Sequence, residues 1–270
     1  MKYLIVTLSL LFIVILAYCY YYAKWHHLWS LEKPLNEYSA IHNQDDTLRV
    51  VMIGDSWAGM HTEFDSFMIQ KLEKYSRLPV LFESRGKGGE KTKGVYQLMF
   101  KDDYYGTKQL MLSSPDYCVI SAGINDAAAN LGTKQFCHYY RQILDFLLAN
   151  GIRPVVLEIP NVNIWHLYGA KPLKDLVVDF VRSTMTRCIM YQFADYRAAL
   201  YQMLRNEVLI DKVVYIPMSD WNDGSSDISK HLFLSDQIHL NRRGYEKIDS
   251  CIAIAIAKDL ENSSNSSLVY

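Results

Sequence analysis

Apolar residues recur along this chain at two spacings. Continuous apolar runs occupy Leu48 to Ile53, Leu78 to Phe82, Tyr117 to Ala122, Arg153 to Ile159 and Lys212 to Ile216, as expected of strands buried on both faces of a sheet. Between them the period lengthens. Phe136, Tyr140, Ile143, Leu144, Leu147 and Leu148 recur at helical intervals, with Gly151 as a stop, so this segment is predicted to be a helix with one face on the sheet. Strands alternating with helices imply right-handed crossovers and a three-layer α/β/α sandwich around a central, mostly parallel sheet. No internal repeat is visible.

The amino terminus departs from this pattern. Tyr3 to Ala23 is uncharged over 21 positions, long enough at about 1.5 Å per residue to cross the hydrocarbon core of a bilayer. The stretch ends in Tyr18-Cys-Tyr-Tyr-Tyr22 without a small-x-small cleavage site, so residues 1–24 read as an uncleaved signal anchor, with secretion after cleavage as the alternative. Tyr20 to Tyr22, Trp25 and Trp29 read as an interfacial aromatic belt. Leu16-Ala-Tyr-Cys19 is a poor lipoprotein box. Lys2 precedes the span while Lys24 and Lys33 follow it, so orientation is weakly specified, and an extracytoplasmic domain is expected. Residues 25–46 read as a linker, polar from Glu32 to Asp46, residues 47–260 as one catalytic domain, and residues 261–270 as a frayed polar tail. Asn262-Ser-Ser and Asn265-Ser-Ser in that tail fit glycosylation acceptors.

Composition narrows the function classes. The 270 residues, half of them hydrophobic, can bury an α/β core without disulfides or metals. Lys+Arg 28 against Asp+Glu 29 leaves a net charge of −1, which gives no basis for nucleic-acid binding. Five cysteines without a spacing pattern suggest buried thiols. No His-Glu-x-x-His or paired Cys-x-x-Cys occurs, and no phosphate-binding glycine signature, so no metal or other cofactor is implied.

The chemistry collects where strands end. Gly54-Asp55-Ser56 closes the first run, and in open α/β sheets ligands bind outside the carboxyl ends of the strands, so Ser56 is a candidate nucleophile. Asp236-Gln-Ile-His239 places a carboxylate three residues before a histidine, a spacing that lets the carboxylate orient the ring and stabilise the imidazolium. Gly123-Ile-Asn125-Asp126 follows the third run and brings a side-chain amide, while Ser84-Arg-Gly86-Lys-Gly88-Gly89-Glu-Lys-Thr92 follows the second and brings glycine N–H groups. Together these supply donors for an oxyanion. Asp126 reads as a cap of the helix that follows it. His61, His138, His166 and His231 read as ordinary surface histidines. Gly-Asp-Ser-Trp-Ala58 differs from a Gly-x-Ser-x-Gly elbow only in its last position, but too little chain precedes the serine for the strands an α/β-hydrolase needs there.

These four blocks in this order resemble the SGNH hydrolases, the GDSL esterase/lipase superfamily, over about residues 47 to 260. The resemblance implies a flavodoxin-like α/β/α fold with Ser56 as nucleophile and His239 and Asp236 completing the triad. It also implies that Gly89, Asn125 and the Ser56 amide donate to the oxyanion, with Gly86 as the alternative alignment because Gly88 stands where similar proteins have serine. Asp55 matches the residue beside the family's nucleophile and reads as structural.

Substrate is read from three tryptophans. Trp57, Trp165 and Trp221 each follow a strand end beside polar residues, a setting that suits the apolar face and the hydroxyls of a sugar ring. The leading reading is therefore a membrane-held esterase that removes acetyl or another short acyl group from a glycan or a smaller ester. An O-acyltransferase with the same triad is the alternative, as is a lipase, lysophospholipase or thioesterase. A noncatalytic binding module is the least favoured.

Overall fold

The computed structural model describes residues 2–25, 31–35, 37–40, 45–162, 171–221 and 231–267. The expected belt residue Trp29, Trp165 and His166 lie outside these. Five strands form one sheet: β1 (Leu48–Gly54), β2 (Val80–Gly86), β3 (Tyr117–Ser121), β4 (Arg153–Leu157) and β5 (Val214–Ile216). All neighbours are parallel, in the order β2-β1-β3-β4-β5. Val50, Val51, Met52 and Ile53 are at most 3% exposed, which explains the unbroken apolar run: β1 is covered on both faces. The edge strand β2 alternates instead. It begins at Val80 and runs on through Glu83 and Arg85 to Gly86, beyond the apolar stretch that signals it in sequence.

One face of the sheet carries α3 (Asp65–Ser76), which packs against α10 (Arg242–Ser267). Packed together elsewhere are α4 (Thr92–Leu98), α7 (Thr133–Ala149) and α9 (Phe193–Asn206). The shorter α2 (Ser56–His61), α5 (Lys108–Leu112) and α6 (Ile124–Ala128) follow strand or loop ends, α8 (Leu173–Thr186) precedes α9, and a 3-10 turn spans Ile210–Lys212. That turn replaces the expected start of β5. In α7, Phe136, Tyr140, Ile143, Leu144 and Leu147 are buried, the face anticipated from the spacing. The expected frayed tail is helical as far as Ser267, as α10 continues and Ser263 Oγ donates to Asp259 O.

The amino-terminal helix α1 (Lys2–Trp25) is long and apolar enough over Lys2–Tyr20 to be a membrane anchor or a signal sequence. The described part of the linker does not stand clear of the domain. Glu32 N–H donates to Tyr139 Oη, Gln142 Nε2 to Glu32 O, and Ala40 N–H to Asn150 Oδ1. The Tyr38 ring packs edge-on against Phe100 and Phe146.

Candidate active site

Strand register sets the site. Gly54 pairs with both Gly86 and Ser121, so β1, β2 and β3 end level with one another. The chain runs from β1 outward to β2, then crosses to the other side of β1 as β3, and this reversal opens a crevice at the carboxyl edge. Ser56 follows β1, the glycine loop follows β2, and Asn125 follows β3. Gly86 packs under the Asp55-Ser56 turn, where a Cβ would lie 2.3 Å from Asp55 O and 2.6 Å from Gly59 N. Gly89 has φ +72° and open space around it, so it sits on the exposed part of the loop.

Asp55 begins α2 by accepting from Trp57 N–H at 3.1 Å, a capping bond. Its carboxylate also accepts from Ser121 Oγ and from Asn125 Nδ2. It is 1% exposed, and burial pushes its pKa up to about 6. Ser56 then stands at the first turn of α2. Its Oγ lies 3.0 Å from His239 Nε2, while His239 Nδ1 lies 2.6 Å from Asp236 Oδ2. The other Asp236 oxygen accepts the backbone N–H groups of Ile238 and His239. Burial works against this carboxylate's charge, but the His239 and backbone hydrogen bonds outweigh it and hold its pKa below the usual range. With Nδ1 donating to Asp236, Nε2 is free to accept the serine proton.

Asn125 lies on α6 with both amide N–H groups engaged, one by Asp55 Oδ2 at 3.2 Å and one by Glu90 O at 3.0 Å. Donation to an oxyanion requires one of these bonds to be exchanged. The neutral Glu90 carbonyl, on the glycine loop, is the weaker acceptor. Asp126 does not cap the helix that follows Gly123, because it lies inside α6, whose N-cap is Gly123 itself. Instead its buried carboxylate accepts Thr92 N–H at 2.9 Å and Thr92 Oγ1 at 2.8 Å, at the first residue of α4. Burial pushes its pKa up to about 6.

Two tryptophans expected to line a substrate site are buried instead. Trp57 is 2% exposed. Its indole N–H donates to Ile238 O at 2.9 Å, and its carbonyl accepts from Tyr245 Oη, so it joins α2 to the His239 loop. Trp221 is 3% exposed and lies under the Lys247 ammonium. Both fill apolar space at a strand end, an outcome that local sequence cannot separate from a ligand platform. Two aromatics beside Ser56, Tyr104 and Tyr105, do face solvent. They line, with Ser56, Met60, Glu83 and Arg85, a cleft of about 850 Å³. Their rings meet edge-to-face at 4.9 Å, and Tyr104 is 86% exposed. Their only signal in sequence is a short polar stretch, Asp102-Asp103-Tyr104-Tyr105-Gly106.

His61 is another correction. It is fully buried, with Nδ1 2.9 Å from Asp65 Oδ1 and Nε2 2.8 Å from Asp249 Oδ1. Both carboxylates accept, so both ring nitrogens donate and the ring is an imidazolium. Burial pulls its pKa down, but the bonds to Asp249 and Asp65 outweigh this and hold it at about 9. Asp65 accepts further from Ser84 N–H and Oγ. The network therefore ties the end of α2 to α3, β2 and α10.

A serine, an imidazole and a carboxylate at these distances, at the carboxyl edge of a 2-1-3-4-5 parallel sheet, form the arrangement of a serine hydrolase. The chain belongs to the GDSL-like lipase/acylhydrolase family, whose model matches residues 52–247, and it is accordingly an enzyme acting on ester bonds. A search of curated proteins found no match. Among solved structures, it is similar to a lipase/acylhydrolase from Enterococcus faecalis (TM-score 0.57, 14% identity, 78% of this chain and 96% of that one). It is also similar to an acetylxylan esterase from Geobacillus stearothermophilus (TM-score 0.52, 13% identity, 77% and 94%). At these identities the likeness is one of fold.

Proposed function

We propose that the chain is an esterase that works through a Ser56 acyl-enzyme and removes a short acyl group, such as acetyl, from a carbohydrate. The observation that carries the mechanism is the contact between Ser56 Oγ and His239 Nε2, with Asp236 behind the ring. Ser56 Oγ attacks the ester carbonyl while His239 takes its proton, and Asp236 stabilises the imidazolium. The Ser56 and Gly89 N–H groups and the Asn125 amide receive the oxyanion. Collapse expels the alcohol, protonated by His239, and leaves the acyl group on Ser56. Water, deprotonated by His239, then releases the acid and restores the serine.

The cleft supports the substrate class. Met60 is the one large aliphatic side chain among its described lining residues, alongside Thr62, Asp65, Glu83, Arg85 and Asp103. A long acyl chain finds little apolar wall there. A sugar finds two exposed tyrosine faces and polar partners for its hydroxyls. With full-length protein, acetylated sugars and p-nitrophenyl acetate are expected to be hydrolysed, with rates falling as the acyl chain lengthens. Tyr104→Ala is expected to raise KM for an acetylated oligosaccharide about three- to tenfold, as loss of one aromatic contact does, and to leave p-nitrophenyl acetate turnover unchanged. Preference for lysophospholipids would overturn the carbohydrate reading. Transfer of the acyl group to an added sugar in preference to water would make the chain an acyltransferase using the same residues.

Two adjacent residues test the oxyanion assignment. Asn125→Ala is expected to lower kcat by about a hundredfold with little change in KM, because its amide serves charge that develops in the transition state. Asp126→Ala leaves the buried Thr92 donors without an acceptor and is expected to cost about 1–3 kcal/mol in a denaturant titration, with near-normal turnover per folded molecule. Normal turnover in folded Asn125→Ala would remove it from the oxyanion site.

A further inference from the structure

Helix α8 leaves an apolar stripe to solvent. Its buried positions are Asp179, Val181 and Ser183, whereas Leu173 is 76% exposed, Val177 36% and Phe180 60%. These three fall at i, i+4 and i+7, on one stripe. Met185, in the last turn, and Ile189, beyond the helix end, add to the apolar exposure, at 40% and 65%. The inner side is held by polar contacts, since Asp179 accepts from both Tyr191 Oη and the Lys171 ammonium. A stripe of this size is not left to solvent without cause.

What lies beside it identifies the occupant. α8 is an element against which the apolar helix α1 packs. α1 itself is exposed over most of its length, with Cys19 buried on one side. A helix in contact with a membrane span lies at the depth of that membrane or at its surface. Lys174 and Arg187 are exposed near the two ends of α8, where cations meet anionic headgroups while the apolar face enters the acyl boundary.

We propose that the outer face of α8 lies in the interface of the same bilayer that α1 enters, so that the catalytic domain meets the membrane at two elements. This rests on the reading of α1 as an anchor that stays in the membrane, and the test separates the two. The full chain, with p-benzoylphenylalanine replacing Phe180, Leu10 or Leu81 in turn, is reconstituted into phosphatidylcholine/phosphatidylglycerol vesicles and irradiated, and adducts are read by mass spectrometry. Hydrolysis of p-nitrophenyl acetate confirms that each protein is folded. Lipid adducts are expected at positions 10 and 180, the latter at about ten times the yield at the solvent-facing position 81. Adducts at 10 but none above background at 180 would overturn the α8 proposal alone. Adducts at neither would overturn the anchor reading and the proposal together. A protein–protein adduct at 180 in place of the lipid one would assign the stripe to a second copy and overturn the proposal.

Discussion

Ser56→Ala is expected to take up no fluorophosphonate probe and to turn over p-nitrophenyl acetate roughly a millionfold more slowly than the unaltered chain. The size of the effect follows from how the triad works. Removing the nucleophile leaves His239 and Asp236 with no proton to move, so the three residues fail as a unit, and only oxyanion donors and substrate binding remain to lift the rate above that in water. KM is expected to change little, because Ser56 stands at the first turn of α2 and its loss disturbs neither the Asp55 cap nor the Trp57 bond to Ile238. Labelling and steady-state kinetics on the same preparations check this. Retention of probe by Ser56→Ala would place the nucleophile elsewhere.

The largest effect on stability is expected at His61. His61→Ala leaves Asp65 and Asp249 facing a cavity in place of a shared imidazolium, and breaking a buried ion pair from one side costs about 3–5 kcal/mol. Asp249 is the more exposed to this loss, because burial already pushes its pKa upward against the pull of His61. The unaltered protein also carries a pH signature. The folded pKa of about 9 stands above the ordinary histidine value of 6.5, so the stabilisation is full below that lower value, shrinks as pH rises between the two, and is lost above the higher one. Urea titrations at pH 6, 7.5 and 9 should show stability falling across this range. The decline should be absent in His61→Gln, which keeps polar contacts but does not titrate. A decline of equal size in His61→Gln would assign it to other groups.

How far the sequence reveals this molecule depends on how local each feature is. β1 and β3 are legible because both faces are buried and every position reports it, whereas β2, on the edge, hides its second half in alternating polar residues. The contact between Asp236 and His239 is legible because both residues share one tight loop, and the loop's own backbone bonds to Asp236 explain the three-residue spacing. His61 is not legible. One partner, Asp65, is four positions on, a spacing equally common on exposed helix faces, and the other, Asp249, is 188 positions away, so the local sequence does not distinguish an imidazolium in the core from a histidine on the surface. Trp57 and Trp221 mislead for a related reason: an aromatic after a strand end can close the core or greet a ligand, and only the packing decides. Asp126 performs a capping function, but for α4, a helix brought to it by the fold.

The hydrogen bonds that hold Glu32 and Ala40 against the domain also set how far the enzyme can range. Between Trp25 at the end of α1 and Glu32 on the domain surface, the chain can extend no more than about 25 Å. With α1 retained in a bilayer, as the two-element membrane proposal requires, a unit leashed so closely would not sweep the surrounding volume. It would graze a thin layer, and an ester carried on a flexible polymer would have to dip into that layer to be cut, while the same ester held farther out would go untouched.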